Sequence, residues 1–120
     1  MGDRMSTLKA DTIQSTGGGA ATLTKQTAAK AFVEANDAAG FSKSFNISSG
    51  SDDGTGDYSY SFTNNLDSAD MVANITCAQN ANAIGVNNGR AAGSFDVKMF
   101  TDAGSLVDRD NSCVVHGDLA

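Results

Sequence analysis

The residues with the most chemical potential in this chain are acidic. The stretch "SSGSDDGTGDYSYSF", Ser48 to Phe62, sets Asp52, Asp53 and Asp57 among Gly50, Gly54 and Gly56. Carboxylates on a glycine-rich loop suit calcium, a hard cation that takes oxygen ligands. The spacing argues against that use. An EF-hand loop alternates its ligands and closes on a glutamate at the twelfth position. Here Asp52 and Asp53 are adjacent, and the twelfth residue counted from Asp52 is Thr63. A turn fits the residues better. Asp53-Gly54 is a favoured turn pair, because glycine tolerates positive φ and aspartate bonds its own backbone. On this reading it joins "FSKSFNI" to "DYSYSF" as a hairpin.

The remaining chemistry is sparse. His116 is the one histidine, so no second imidazole exists for a metal pair. Serines and aspartates that could join it in a triad are plentiful, but the strand-turn-helix signature G-x-S-x-G is missing. No carboxylate pair stands out for acid–base work. Asp108, Arg109 and Asp110 in "VDRDNS" read as a solvated turn. Tyr58 and Tyr60 have two readings: a platform on which a sugar ring stacks, or, the favoured one, aromatic residues of a core face. Gly17-Gly18-Gly19 lacks the Lys-Ser/Thr of a phosphate loop and reads as a hinge. Cys77 and Cys113 have no metal-ligand spacing. They are expected as two buried thiols, with a single disulfide as the alternative. No catalytic residue, cofactor or metal is expected, and the chain is not expected to be an enzyme.

The elements that position these residues are short. The 120-residue chain fits one domain, and it has 13 glycines, no proline and no tryptophan. Such a composition suits strands joined by glycine-rich turns. Period-two alternation places Phe41, Lys43, Phe45 and Ile47 on one strand face, and Tyr58, Tyr60 and Phe62 on another. Met71, Ala73, Ile75 and Cys77 share a face, as do Phe95, Val97 and Met99, and "SCVVHGDLA" reads as a last strand. Turn clusters fall at Gly50–Gly56, Asn64–Asp70, Asn87–Gly93 and Thr101–Ser105. The expected fold is all-β: an antiparallel β-sandwich or small barrel over residues 28–120, with an extended N-terminal arm over residues 1–27. "TAAKAFVEANDAAGF" leaves helix and strand open on local propensity.

In the arm, Leu8, Ile13 and Leu23 are isolated in a Thr/Ser/Gly background. Such a segment builds no core of its own and needs a surface to lie on. These three residues are therefore the candidates for attachment or oligomerisation. Much of the apolar content is alanine, so the core is thin and a partner subunit would help it. The net charge of −6 opposes nucleic-acid binding, which needs clustered Lys and Arg. No apolar run reaches the ~18 residues of a membrane span, and "MGDRMSTLKADTIQS" lacks the apolar middle of an export signal.

Two long stretches carry a resemblance. "STLKADTIQSTGGGAATLTKQTAAKAFV" followed by "SFNISSGSDDGTGDYSYSFTNNLDSAD" resembles a segment frequent in tail-fibre-like and other virion structural proteins of marine podoviruses, cyanophages and related prophages. Its most specific parts are Ser6–Gln14 and Gly54–Phe62. The later "SFDVKMFTDAGSLVDRDNSCVVHGD" resembles the closing strands of that family. There are three departures from the pattern. Phe32 stands where the family has Trp, "EANDAAG" (Glu34 to Gly40) replaces "NFNGTG", and Asp53-Gly54 replaces Asn-Gly.

The resemblance implies a strand from about Lys30 to Ala35. It also implies a structural role in a virion: a short fibre, knob or decoration on tail or capsid, built as a homo-oligomer, with a trimer favoured. Other virion proteins would be its partners, and a host-surface glycan an additional one at a fibre tip. Location in the virion follows from the resemblance alone.

Overall fold

The computed structural model describes residues 7, 9–19, 28–78 and 82–120. Eight strands follow one another: β1 (Ala31–Ala35), β2 (Phe41–Phe45), β3 (Ile47–Gly54), β4 (Asp57–Phe62), β5 (Val72–Cys77), β6 (Ala83–Ala91), β7 (Ser94–Thr101) and β8 (Asn111–His116). They form two four-stranded antiparallel sheets in the orders β2-β1-β8-β5 and β3-β4-β7-β6. The fold is thus a sandwich rather than a closed barrel, and each sheet keeps two edge strands.

The two inner faces divide the volume unequally. The second sheet contributes Tyr58, Tyr60, Phe62, Phe95, Val97 and Met99, all buried. The first answers with smaller groups: Ala31, Val33, Ala35, Cys113 and Val115. Large residues on one face meet small ones on the other across the gap between the sheets. The Phe95 ring lies 5.4 Å from Tyr60 and 5.7 Å from Phe62, centroid to centroid. A few aromatic rings therefore fill much of an alanine-rich interior.

Residues 31–35 settle as strand. β1 runs between β2 and β8, with Val33 opposite both Ser44 and Cys113. Helical propensity loses because strand geometry alone turns Ala31, Val33 and Ala35 to the same buried face. The strand ends at Asn36, whose side-chain oxygen accepts from Ala38 N and Gly40 N at 2.9 Å each. Ala39 at φ 62° completes that turn, so Gly40 closes a hairpin rather than a helix.

Three expectations are corrected. "FSKSFNI" is two strands in different sheets, not one. The chain changes sheet at Asn46, at φ 58°, a region that asparagine tolerates. Asn46 stitches the corner: Nδ2 donates to Lys30 O (3.1 Å) and Asn64 O (3.0 Å), and Oδ1 accepts from Asn64 N (2.7 Å). Phe41 and Phe45 consequently stay exposed, at 36% and 52%, while Ile47 enters the core.

The hairpin turn is also displaced. β3 continues to Gly54 and the two-residue loop is Thr55-Gly56, with a bulge between Asp52 and Gly54. Gly56 has φ 61°, and a Cβ there would lie 2.7 Å from Met99 O and from Val107 N. That crowding demands glycine at 56.

The third correction is Asn87–Gly93, read as a turn cluster. Most of it is strand β6, which pairs with β7 from Ala83↔Thr101 to Ala91↔Ser94. Its turn-like residues are explained by close packing. A Cβ on Gly85 would collide with Ile75, and one on Gly89 with the Asp96 carboxylate.

Candidate functional site

The sequence placed its two aromatic candidates on β4, and the structure closes both from solvent. Tyr58 and Tyr60 are 0% exposed, so neither ring offers a face to a sugar. The stacking role is removed because period-two alternation turns both side chains inward, against the first sheet. Their hydroxyls instead reach the far side of the sandwich. Tyr60 Oη donates to Asn111 Oδ1 at 2.7 Å, and Asn111, itself 0% exposed, donates Nδ2 to Arg109 O at 3.2 Å. Tyr58 Oη donates to Asp37 O at 2.9 Å and accepts from Arg109 N at 3.2 Å. A buried polar atom costs free energy unless it is paired, and these two are paired.

"VDRDNS" is therefore not merely a solvated turn. Asp108 Oδ1 accepts from Gly56 N at 2.7 Å and holds the β3–β4 turn down on the segment that precedes β8. Val107 N donates to Met99 O and Met99 N to Gly56 O, at 3.0 and 2.9 Å. No local sequence signal links residues 56–60 to 107–111. The pairing exists only once the sheets face each other.

The environment sets the ionisation of these groups. Desolvation pushes the Tyr58 phenol up to about 12, opposed by the hydrogen bond from Arg109 N and assisted by the Asp108 charge. Burial also raises Tyr60, with Cys113 adding to the effect and the Asn111 hydrogen bond opposing it. Burial takes the Cys113 thiol up to about 12. A thiol so placed is a poor nucleophile, since the thiolate is the reactive form. Cys113 is a buried thiol; Cys77 is half-buried, with its sulfur 3.8 Å from Ala78 O.

The acidic loop is held together by its own neighbours. Asp53 Oδ1 accepts from Ser51 Oγ at 2.7 Å, and Asp52 Oδ1 from Gly54 N at 3.3 Å. The hydroxyls of Ser51 and Ser59 draw the Asp53 carboxyl below its usual range. Asp57 faces Lys98 at 4.0 Å. Among the described residues, no group of three or more His, Cys, Asp or Glu side chains could hold a metal ion.

Several open clefts mark the surface, and two of them hold residues weighed in the sequence. One of 340 Å³ lies beside the β1–β2 turn, where Glu34, Asn36, Phe41, Ser42 and Asp110 meet. The other, of 400 Å³, is lined by Asp70, Met71, Val72, Arg90, His116 and Gly117. This second cleft places His116, and no serine among the described residues lines it. Arg90 is engaged there, donating Nη1 to Met71 O at 3.1 Å.

Of the arm candidates, Ile13 is half exposed, at 50%, and Leu8 and Leu23 lie outside the described residues. No described helix is long and apolar enough to cross a membrane. The chain matches no protein-family model, no curated protein and no solved structure.

Proposed function

We propose that the chain is a phage virion structural protein: a short fibre, knob or decoration that docks to tail or capsid through residues 1–27 and displays its β-sandwich outward, as a homo-oligomer. The resemblance of Ser6–Gln14 and Gly54–Phe62 to such proteins is the source of this reading. One structural observation supports it above the others. The polar tips of the central tyrosines are used internally, on Asp37 O, Arg109 N and Asn111 Oδ1, so the conspicuous aromatic residues serve rigidity. A load-bearing or display module needs that; a catalyst would aim such groups at a substrate.

The described arm residues match the docking half of the reading. Residues 9–19 are exposed throughout, and Ser15 and Gly19 bond mainly to each other, through Ser15 N to Gly19 O at 3.0 Å and Gly19 N to Ser15 Oγ at 3.1 Å. Ile13 on this segment is half exposed, at 50%, and is the described arm residue that the docking reading would use. The test is deletion of residues 1–27. The truncated protein is expected to be missing from purified particles; normal incorporation would refute the docking role.

A second reading, a glycan-binding module at a fibre tip, keeps support from one feature. The 340 Å³ cleft combines the half-exposed Phe41 ring with Glu34, Asn36, Ser42 and Asp110, an aromatic face among hydrogen-bonding groups. A glycan array tests it. Binding lost on Phe41→Ala would establish it, and a flat array from the wild-type protein would dismiss it.

A further inference from the structure

Strand β6 carries the one Asn-Gly pair of the chain, Asn88-Gly89. The pair sits at a fault in the ladder. β6 pairs with β7 as Asn87↔Val97 and then as Gly89↔Asp96, so Asn88 is the extra residue of a bulge and has no partner on β7. β6 is also an edge of its sheet, so no strand pairs with it on the other side. A bulge leaves its added residue outside the ladder and disrupts the pairing locally. Asn88 is exposed there, and its amide has no hydrogen-bond partner among the described residues.

The preceding residue shows the contrast. Asn87 Nδ2 donates to Gly89 O at 3.1 Å and to Asp96 O at 3.0 Å, so that amide ties the bulge to the facing strand. These bonds hold the residues on either side of Asn88 and leave its own side chain free. Glycine is also required next to it, since a Cβ on Gly89 would lie 2.5 Å from Asp96 Oδ2. The bulge therefore keeps a free asparagine in front of the one residue type that puts no side chain beside the following backbone nitrogen.

We propose that Asn88 is a site of covalent self-modification, at which the chain deamidates through a succinimide. Asparagine is among the thermolabile residues, and this is the chemistry of that lability. The Gly89 nitrogen attacks Asn88 Cγ. An N–Cγ bond forms, the Cγ–Nδ2 bond breaks, and Nδ2 leaves as ammonia, taking up the Gly89 amide proton. Water then opens the ring. Attack at Cγ gives aspartate. Attack at the main-chain carbonyl gives isoaspartate, with the chain rerouted through the former side chain. The balance is amide plus water to carboxylic acid plus ammonia, and no oxidant or cofactor takes part.

Other positions are held back. Asn36 and Asn46 have their side-chain oxygens engaged by backbone N–H groups, Asn111 is buried, and each is followed by a residue with a Cβ. Asp53-Gly54 could close the same ring by losing water, but Asp53 Oδ1 accepts from Ser51 Oγ at 2.7 Å. That bond favours the ionised carboxylate, which is a poor electrophile.

Either product places a new carboxylate on an edge strand and takes the net charge one unit beyond −6. Charge on an edge strand deters pairing with another sheet. Isoaspartate also adds a main-chain carbon to a bulge that already holds an extra residue. The modification is independent of the proposed virion role.

The test is ageing of the full chain at neutral pH in water enriched in heavy oxygen, then digestion in ordinary water and peptide mapping by mass spectrometry. Heavy oxygen is expected at residue 88 several-fold above any other asparagine, with electron-transfer fragmentation showing isoaspartate beside aspartate. Asn88→Ser, confirmed as folded by circular dichroism, is expected to lose that signal; Asn88→Gln replaces it if the serine variant does not fold. The wild type aged in guanidinium chloride is expected to gain label at residue 88 within a few-fold of the folded rate, because the bulge does not hold the site. Label at residue 88 only in guanidinium chloride would overturn the inference, since the folded strand would then protect it. So would a folded chain labelled mainly at other asparagines, or a signal in the same peptide that survives the substitution.

Discussion

The Tyr60 hydroxyl donates to Asn111 Oδ1 at 2.7 Å, from the middle of one sheet to the first residue of β8 in the other. Both residues are fully buried. This bond and its neighbour from Tyr58 to Asp37 fix how the sheets are set against each other, which non-directional apolar contact alone does not.

Tyr60→Phe keeps the ring and deletes the bond. It leaves Asn111 Oδ1 with only the weak Cys113 thiol at 3.5 Å. The expected loss is about 1–3 kcal/mol, the usual cost of stranding a buried polar group, read by urea denaturation. Asn111→Ala combined with Tyr60→Phe should cost less than the sum of the singles, since the two positions share one interaction.

Gly56 is the least replaceable glycine. Gly56→Ala meets backbone atoms at 2.7 Å and also has a positive φ, of 61°. The loss is expected to exceed the ~1–2 kcal/mol of the left-handed conformation alone. Gly104→Ala is the control: φ is 86° but the space is open, so it pays only the conformational part. Equal melting temperatures for the two variants would contradict the packing described at the β3–β4 turn.

The sheet-switching corner makes a graded series. Asn46→Gly keeps access to positive φ and loses three hydrogen bonds, at about 1 kcal/mol each before rehydration of the freed groups. Asn46→Ala loses the same bonds and adds a φ penalty, so it should melt lower than Asn46→Gly. The reverse order would show that backbone strain does not matter there.

Alkaline pH should unfold the protein in a defined window. The buried Cys113 and Tyr58 bind their protons more tightly in the folded state, each up to about 12 against ordinary values of 9.0 and 10.0. Where the unfolded chain has already lost those protons, stability falls as pH rises. The contribution is whole below pH 9.0 and drains away between there and about 12. Melting curves across this range should show the decline, and Cys113→Val should blunt its lower part. A flat profile to pH 12 would contradict the burial of these groups.

Much of the fold was legible in alternation. Tyr58, Tyr60 and Phe62, and Phe95, Val97 and Met99, read as core faces in the sequence and are core faces in the structure. What stayed hidden depended on distant contacts. Asn87–Gly93 looked like a turn because Gly89 answers to Asp96, not to its neighbours. Phe41 and Phe45 looked like core because the change of sheet at Asn46 is one residue's backbone angle. The roles of Asp108 and Asn111 were invisible for the same reason: their partners lie about fifty residues away. The alternation also misdirected one functional idea, since the pattern that made Tyr58 and Tyr60 conspicuous is what buries them.

The central claim is that residues 1–27 attach this protein to a virion. The most direct measurement compares purified particles carrying the full chain with particles assembled alongside the chain lacking residues 1–27, by quantitative mass spectrometry of particle proteins. Circular dichroism of the purified truncated chain must first show that its sandwich still forms. The account predicts the full chain at a fixed copy number per particle and the truncated chain absent. Truncated protein at the full-length copy number, or full-length protein absent from particles while accumulating in the host cell, would contradict it.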